Sequence, residues 1–344
     1  MKAIFLDRRG PPEVLVERRL PTPQPQPDEI RIGVRASGIN FADLLQRLGL
    51  YASAPRPPYI PGFEVAGEVE ATGDSARRFR IGDRVTALTR LGGYAEKVCV
   101  AEGTVLRLAP EISFEEAAAL PVNYLTAWFC IKTMGNLQPC ERVLIHAGAG
   151  GVGTAAVQLA STIGAECFAT VGSEEKVEFL RRLGVDHPIN YRTHDFAAEI
   201  RRLTGGCGVD LILDAVGGDT MRKGYELLSP LGRLVSYGLS SAVAGPRRNL
   251  PRALWAWWRT PRFNPLEMIG RNVGVFGFHL AHLEGKQHLV AEAFAEIARM
   301  VATGTLKPII ARTFPLSSDG AAAAHRYLHE RRNIGKVLLV PEDD

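Results

Sequence analysis

The spacing of apolar and polar residues changes character near residue 123. Before that point, short alternating stretches such as Glu29–Ala36 are separated by breaks rich in proline and glycine, which predicts β-strands joined by loops. After it, apolar runs such as Val209–Asp214 alternate with helical stretches as far as residue 279, which predicts parallel strands joined by helices. An amphipathic helix, Leu289–Thr303, and a C-terminal strand, Gly335–Val340, follow, and we expect this strand to rejoin the first domain.

A chain of 344 residues is longer than a single hydrophobic core usually supports. We therefore predict an α/β protein of two domains. The first is β-rich and consists of residues 1–123 and 280–344. The second consists of residues 124–279 and contains a doubly wound parallel sheet.

A glycine-rich turn lies where an apolar strand around Val143–Ile145 meets an apolar helix. Its spacing, Ala-x-x-Gly-x-x-Gly, is a variant of the dinucleotide fingerprint, although the same glycines also occur in ordinary tight turns. Glycines allow close approach of a diphosphate, and the helix N-terminus offers free N–H groups. The predicted diphosphate contacts are Ala147, Gly150, Gly151, Val152 and Gly153.

The next strand ends in Gly172 and Ser173, where an NAD site would usually carry an acidic residue for the ribose. Lys176 follows on the next helix and Tyr191 follows the third strand, so a small residue, a cation and a hydroxyl are available for a 2′-phosphate. Ser173 also suits a helix N-cap, a role compatible with phosphate binding. The neighbouring acidic residue, Glu174, argues against a phosphate at this place. On balance this pattern predicts NADPH as the cofactor.

Composition excludes several classes of protein. Apolar residues make up 46% and charged residues 23% of the chain, and the net charge is +4, which is ordinary for a globular protein and gives no reason to expect nucleic-acid binding. The five cysteines are dispersed without a Cys-x-x-Cys pair, which argues against a disulfide framework or a cysteine zinc site. No signal peptide or long apolar run is present, so we expect a cytoplasmic protein.

One insertion, Gly245–Phe263, contains three of the four tryptophans, five arginines and no acidic residue. Tryptophan combined with arginine is typical of membrane interfaces. The alternative interpretation is a helix that packs on the cleft or at a subunit interface, with its arginines solvated. Since Pro246, Pro251 and Pro261 should keep any helix short, we expect the tryptophans to be buried, and membrane association is the less favoured interpretation.

Several motifs resemble the medium-chain dehydrogenase/reductase superfamily. They are Gly62-Phe63-Glu64-x-x-Gly67-x-Val69, Gly82-Asp83-Arg84-Val85, Asn40, Gln158 and the glycine-rich turn. Within the superfamily the chain is similar to the zinc-free quinone oxidoreductases. Blocks along the whole chain, among them Asn40–Leu44, Gly135–Pro139, Trp257-Trp258 and Gly277–Leu280, resemble the vesicle amine transport protein homologues. The resemblance implies a GroES-like catalytic domain followed by a Rossmann domain.

Two departures from the zinc-dependent relatives determine the expected chemistry. Phe63 occupies the position of a zinc-binding histidine, and Asn40 lies where the first cysteine ligand falls. Phenylalanine cannot bind zinc and asparagine binds it poorly. We therefore expect no metal, and an acceptor that is already electron-poor, namely a quinone or an α,β-unsaturated carbonyl.

The same resemblance implies roles for individual residues. Asn40 and Tyr51 would line the space opposite the nicotinamide, with Asn40 also touching the cofactor and Tyr51 donating to the developing anion. Asn40 is equally consistent with a turn cap and Tyr51 with a loop aromatic. The other implied cofactor positions are Thr126, Tyr237, Gly238, Phe276, Phe278, Arg331 and Asn333, with Arg332 as the alternative to Arg331.

Three functions remain open from the sequence. The first is an NADPH-dependent quinone or enone reductase, and the second is a non-enzymatic NADPH-binding protein that associates with a membrane or partner. The third is a reductase for one biosynthetic intermediate. Because Val275–Phe278 should form an apolar edge strand, and relatives pair across this edge, we also expect a homodimer.

Overall fold

The computed structural model describes residues 1–243 and 245–342; the last two residues of the predicted first domain lie outside this part. The strands described are β1 (Lys2–Leu6), β2 (Leu15–Arg19), β3 (Glu29–Ile39), β4 (Glu64–Thr72), β5 (Arg84–Leu88), β6 (Lys97–Ala101), β7 (Val105–Arg107), β8 (Arg142–His146), β9 (Glu166–Val171), β10 (His187–Asn190), β11 (Val209–Asp214), β12 (Leu228–Ser236), β13 (Gly274–Gly277), β14 (Ile310–Pro315) and β15 (Lys336–Val340).

The α-helices described are α1 (Phe41–Leu48), α2 (Phe114–Ala118), α3 (Pro121–Trp128), α4 (Gly151–Ile163), α5 (Glu174–Arg182), α6 (Phe196–Leu203), α7 (Asp219–Tyr225), α8 (Leu250–Arg259), α9 (Pro265–Arg271), α10 (Gln287–Ala302) and α11 (Ser318–His329). Helix α3 continues into a π-helical stretch, Phe129–Met134. No helix among the described residues is long and apolar enough to cross a membrane.

The chain forms two compact units. The first contains Met1–Leu125, Gly245–Arg248 and Ala281–Asp344, and the second contains Thr126–Ala244 and Asn249–Leu280. The assignment of these units to catalysis and to cofactor binding stays a prediction.

The first unit is built on a mixed sheet with the strand order β14-β15-β3-β4-β5-β7, in which β6 also pairs with β3. Ile30, Ile32 and Val34 alternate with more exposed residues along β3 and pack against Val65 and Val85. The C-terminal strand β15 pairs antiparallel with β3, which confirms that the end of the chain returns to the first domain. This pairing joins Val337 to Ile39 and so brings the neighbouring residues 336 and 40 together.

The second unit contains a parallel sheet with the order β10-β9-β8-β11-β12-β13. The middle of each central strand is apolar, with Val143–Ile145 and Leu211–Leu213 fully buried, as expected for strands covered on both faces. The strand order reverses between β8 and β11, and sheets of this kind bind ligands beyond the carboxyl ends of the strands at such a reversal. The predicted doubly wound fold is confirmed.

Candidate cofactor and active sites

The turn between β8 and α4 has the form of a diphosphate cradle. Gly150 is the N-cap of α4, and no side chain caps the first turn, so the first N–H groups of the helix face outward without an intrahelical partner. Ala147 adopts a left-handed conformation with φ of 56°. A Cβ added to Gly153 would lie 2.3 Å from the carbonyl oxygen of Ala147, so only glycine permits this packing. These features fit a dinucleotide.

Two of the residues predicted for the 2′-phosphate, Ser173 and Tyr191, lie close to the end of β9. Ser173 is the N-cap of α5 and its Oγ accepts the backbone N–H of Lys176 at 3.4 Å, so the predicted capping role is confirmed. Tyr191 follows β10, is 40% exposed, and donates its backbone N–H to Val171 at 3.0 Å. A Cβ added to Gly172 would meet the Tyr191 hydroxyl at 2.7 Å, so these two residues are in close contact.

Sequence reasoning missed Arg192, which also lies at this place. Its Nε would be 3.4 Å from a Cβ on Gly172. The signal that could have revealed it is its position directly after Tyr191, where a cation follows the third strand of the sheet. Glu174, the residue that argued against NADPH, accepts a hydrogen bond of 2.5 Å from Asn190.

Some of the other predicted cofactor residues lie at the carboxyl ends of neighbouring strands of the same sheet. Tyr237 and Gly238 follow β12, and the backbone N–H of Tyr237 donates to Asp214 at 3.0 Å. Phe276 lies on β13 and is 37% exposed, whereas the ring of Phe278 stacks on Phe129 with centroids 5.5 Å apart. Thr126 is buried in α3.

In the first unit, Asn40 belongs to a buried ionic cluster. Its Nδ2 donates to Glu64 Oε1 at 2.8 Å, and its Oδ1 accepts from Lys336 Nζ at 2.6 Å. Lys336 also forms an ion pair with Glu64, and Glu64 Oε2 accepts the backbone N–H of Val122 at 2.7 Å. Glu64 and Lys336 are 0% and 2% exposed. The amide of Asn40 is therefore held rigidly, with one of its two N–H groups left for another partner.

This cluster does not fit the zinc ion that the dehydrogenase scaffold can carry. The ammonium of Lys336 hydrogen-bonds Asn40 Oδ1, the atom through which this amide would coordinate a metal. Its positive charge would also repel a divalent cation. Phe63 places its ring 5.9 Å from that of Tyr51 and offers no ligand atom. Among the residues that the structure describes, no group of three or more His, Cys, Asp or Glu side chains is arranged to hold a metal ion.

Burial raises the pKa of two acidic groups in the first unit, Asp43 and Tyr51. Burial raises the pKa of Asp43 to about 7, against the hydrogen bond of 2.8 Å that its Oδ2 accepts from the Asn40 N–H. Burial, with a contribution from Asp43, also raises the pKa of Tyr51. The Tyr51 hydroxyl is thus a neutral hydrogen-bond donor at physiological pH.

A fully buried arginine anchors several segments of the first unit. Arg47 donates to the carbonyl oxygens of Gly10 and Pro246 and contacts His325 Nδ1 at 3.2 Å and His329 Nε2. Burial and the charge of Arg47 lower the pKa of His329 to about 4 and hold the pKa of His325 well below its ordinary value. Both histidines are therefore neutral partners of the arginine.

The predicted residues near the C-terminus follow α11. Arg331 adopts a left-handed conformation with φ of 54°, and Asn333 Nδ2 donates to the Gly335 carbonyl at 2.9 Å. The alternative, Arg332, lies 5.2 Å from the Tyr327 ring and hydrogen-bonds Glu330. The cofactor roles of Arg331 and Asn333 stay predictions.

The prediction that the tryptophans of Gly245–Phe263 are buried is wrong for this chain. Trp255, Trp257 and Trp258 are 45%, 60% and 70% exposed. They lie on α8, a helix of ten residues whose Pro251 occupies the first turn, where proline causes no loss of hydrogen bonding. Arg252 and Arg259 stack on Trp255 at 5.1 and 5.5 Å.

Comparisons with known proteins agree with this architecture. Residues 26–110 match the alcohol dehydrogenase GroES-like domain and residues 183–339 match the zinc-binding dehydrogenase family. The rat synaptic vesicle membrane protein VAT-1 homolog is 41% identical over 93% of this chain and 78% of its own length. A Burkholderia 2-haloacrylate reductase is 33% identical over 99% of each chain. The Escherichia coli quinone oxidoreductase complexed with NADPH superimposes with a TM-score of 0.88 at 30% identity, over 99% of this chain and 100% of that one.

The fold, the glycine-rich cradle and these matches define the class of protein. The chain belongs to the medium-chain dehydrogenase/reductase superfamily, a family of oxidoreductases whose second domain binds a nicotinamide dinucleotide. Within the superfamily it is close to the VAT-1 homologues and the quinone oxidoreductases.

Proposed function

We propose that the protein is a zinc-independent, NADPH-dependent oxidoreductase that transfers hydride to a quinone or an α,β-unsaturated carbonyl. In this proposal the second unit binds the cofactor and the first unit binds the acceptor. A homodimer and a cytoplasmic location belong to the same proposal. The names of two relatives, a quinone oxidoreductase and a 2-haloacrylate reductase, support acceptors of these two kinds.

The observation that carries the choice of acceptor is the bond between Lys336 and Asn40. Since an ammonium ion takes the position from which a metal would be coordinated, no Lewis acid activates the acceptor there. The acceptor must then stabilise the added electron pair itself, as quinones and enones do by forming a phenolate or an enolate.

In the proposed reaction, different residues bind the cofactor, bind its 2′-phosphate and stabilise the reduced acceptor. NADPH, when bound, supplies the hydride, and the cradle at Gly150–Gly153 holds its diphosphate. Lys176 and Ser173, with Tyr191 and Arg331, bind the 2′-phosphate. Tyr51, kept protonated by its raised pKa, donates a hydrogen bond to the developing oxygen anion, and Asn40 orients the reacting groups through its remaining N–H.

Two variants test this proposal. Tyr51→Phe should lower kcat for a soluble benzoquinone by about 10²- to 10³-fold, the effect of losing one oxyanion donor, with NADPH affinity unchanged. Lys176→Ala should weaken NADPH binding by roughly 1–3 kcal/mol and leave NADH little changed. Equal losses for both cofactors in Lys176→Ala would contradict the role of Lys176, and an unchanged kcat in Tyr51→Phe would contradict that of Tyr51.

A second candidate function is favoured by the exposed tryptophans. A protein that binds NADPH without turnover and associates with an anionic membrane or a partner would present Trp257 and Trp258 as they are here. The name of the VAT-1 homolog, a synaptic vesicle membrane protein, points the same way. Co-sedimentation with phosphatidylserine vesicles that is lost in Trp257→Ser/Trp258→Ser, without NADPH oxidation across a panel of quinones and enones, would favour this candidate. Turnover without vesicle binding would exclude it.

A further inference from the structure

The loop after β10 places the side chain of Arg192 at the end of β9. The phosphate site predicted from the sequence does not include this cation. The Tyr191 hydroxyl and the Arg192 Nε both lie over the backbone of Gly172, at 2.7 and 3.4 Å from the position of an added Cβ. Gly172 is the first residue beyond β9, the second strand of the dinucleotide-binding sheet in chain order. In this fold, groups at that place read the 2′ position of the adenosine ribose, and an arginine nearby accommodates a 2′-phosphate.

Asn190, the last residue of β10, organises this place through two hydrogen bonds. It is buried, and its Nδ2 donates to Glu174 Oε1 at 2.5 Å. Its Oδ1 accepts the backbone N–H of Arg192 at 3.1 Å. The Asn190 side chain therefore holds the Glu174 carboxylate in a hydrogen bond and also fixes the backbone from which Arg192 projects.

The charge of Arg192 is available for a ligand. The side chain is exposed, and within residues 1–243 and 245–342 its guanidinium forms no ion pair with a carboxylate. A planar guanidinium that is not neutralised suits the oxygens of a phosphate monoester, which it contacts through two parallel N–H groups.

We propose that Arg192 is a further determinant of cofactor choice, which contacts the 2′-phosphate of NADPH. Asn190 is a positioning residue that fixes the backbone of Arg192 and holds Glu174 aside. This inference rests on the proposed use of NADPH and assigns to two additional residues the discrimination against NADH.

Calorimetric titration with NADPH and with NADH tests the role of Arg192 without relying on turnover. In Arg192→Ala the dissociation constant for NADPH should rise by about 10- to 100-fold, the usual effect of losing a hydrogen bond between charged groups. The constant for NADH should stay close to that of the unchanged protein, because NADH lacks the phosphate. The matched control is Arg182→Ala, which removes the same charge from an exposed arginine in the last turn of α5 and should leave both constants unchanged.

Two further variants test the role of Asn190. Asn190→Ala should weaken NADPH binding more than NADH binding, since it releases Glu174 and loosens Arg192. Removing the released carboxylate in Glu174→Ala/Asn190→Ala should recover part of the NADPH affinity. Thermal melting establishes that these variants fold, and if Asn190→Ala does not, the comparison of Arg192→Ala with Arg182→Ala decides the question by itself.

The outcomes separate this inference from the function on which it rests. Equal losses for NADPH and NADH in Arg192→Ala, or an NADPH loss of the same size in Arg182→Ala, would overturn the role of Arg192 and leave an NADPH preference standing. If the unchanged protein binds NADPH no better than NADH, the proposed cofactor is wrong and the inference falls with it.

Discussion

Lys336 Nζ lies 2.6 Å from Asn40 Oδ1 in the interior of the first unit, although 296 residues separate them in the chain. The antiparallel pairing of β15 with β3 brings them together, and Glu64 neutralises the ammonium. Lys336 therefore places a fixed positive charge beside the amide of Asn40. The bond also sets the orientation of the amide that we assign to the active site.

The first prediction concerns the stability that this cluster contributes. Lys336→Met should lower the free energy of unfolding by about 3–5 kcal/mol, because it leaves the carboxylate of Glu64 buried and unpaired. Urea denaturation followed by circular dichroism measures the change. The double variant Glu64→Gln/Lys336→Met should lose much less than the sum of the two single variants; additive losses would show that the two charges do not depend on each other.

The second prediction concerns Asp43, whose pKa of about 7 lies above its ordinary value of 3.8. Between these values the folded chain holds a proton that the unfolded chain has lost, so the contribution of Asp43 to stability falls as the pH rises from about 4 through 7. From pH 5 to pH 8 this loss is on the order of 2–3 kcal/mol.

Asp43→Asn removes this titration, and its amide oxygen can still accept the Asn40 N–H. The free energy of unfolding of the variant minus that of the unchanged protein should therefore be more positive at pH 8 than at pH 5. Urea denaturation at the two pH values gives this difference directly. A difference that does not change with pH would mean that Asp43 is ionised in the folded protein throughout this range.

Third, the purified protein should contain no stoichiometric zinc, because Asn40 is committed to Lys336 and Glu64 and because Phe63 has no ligand atom. Elemental analysis after mild chelation measures the zinc content. A value of about one zinc per chain would show that another set of ligands assembles and that the acceptor can be activated by a metal.

Fourth, the protein should be a homodimer. Strand β13 pairs only with β12 among the described strands, and it presents Phe276 at an open edge that would otherwise promote aggregation. Light scattering at micromolar concentration should give twice the 37.5 kDa mass of one chain. A mass of one chain would mean that this edge is protected in another way.

The sequence was most informative where function depends on local structure. The strand, the glycine turn and the start of α4 follow one another in the chain, so glycine spacing and apolar periodicity were enough to predict the cradle. The helix cap at Ser173 was predictable for the same reason, and it is present at the start of α5.

What escaped prediction depends on distant residues. The cluster of Asn40, Glu64 and Lys336 joins three parts of the chain, and a buried lysine contradicts the usual placement of charge. The bond between Asn190 and Glu174 likewise depends on how α5 packs beside β10. The helix that carries the tryptophans is short, as the prolines predict, but a short helix does not determine which of its side chains are buried, and the expected burial of the tryptophans is wrong.

The central claim is that hydride passes from NADPH to an electron-poor acceptor without a metal. Incubation of the protein, stripped of metal by chelation, with NADPH deuterated at the transferred C4 position and a simple enone tests this claim directly. Mass spectrometry should find one deuterium on carbon in the reduced product, at a rate matching the loss of NADPH absorbance. Failure to oxidise NADPH with any enone or quinone tested, or turnover that appears only when zinc is restored, would contradict the account.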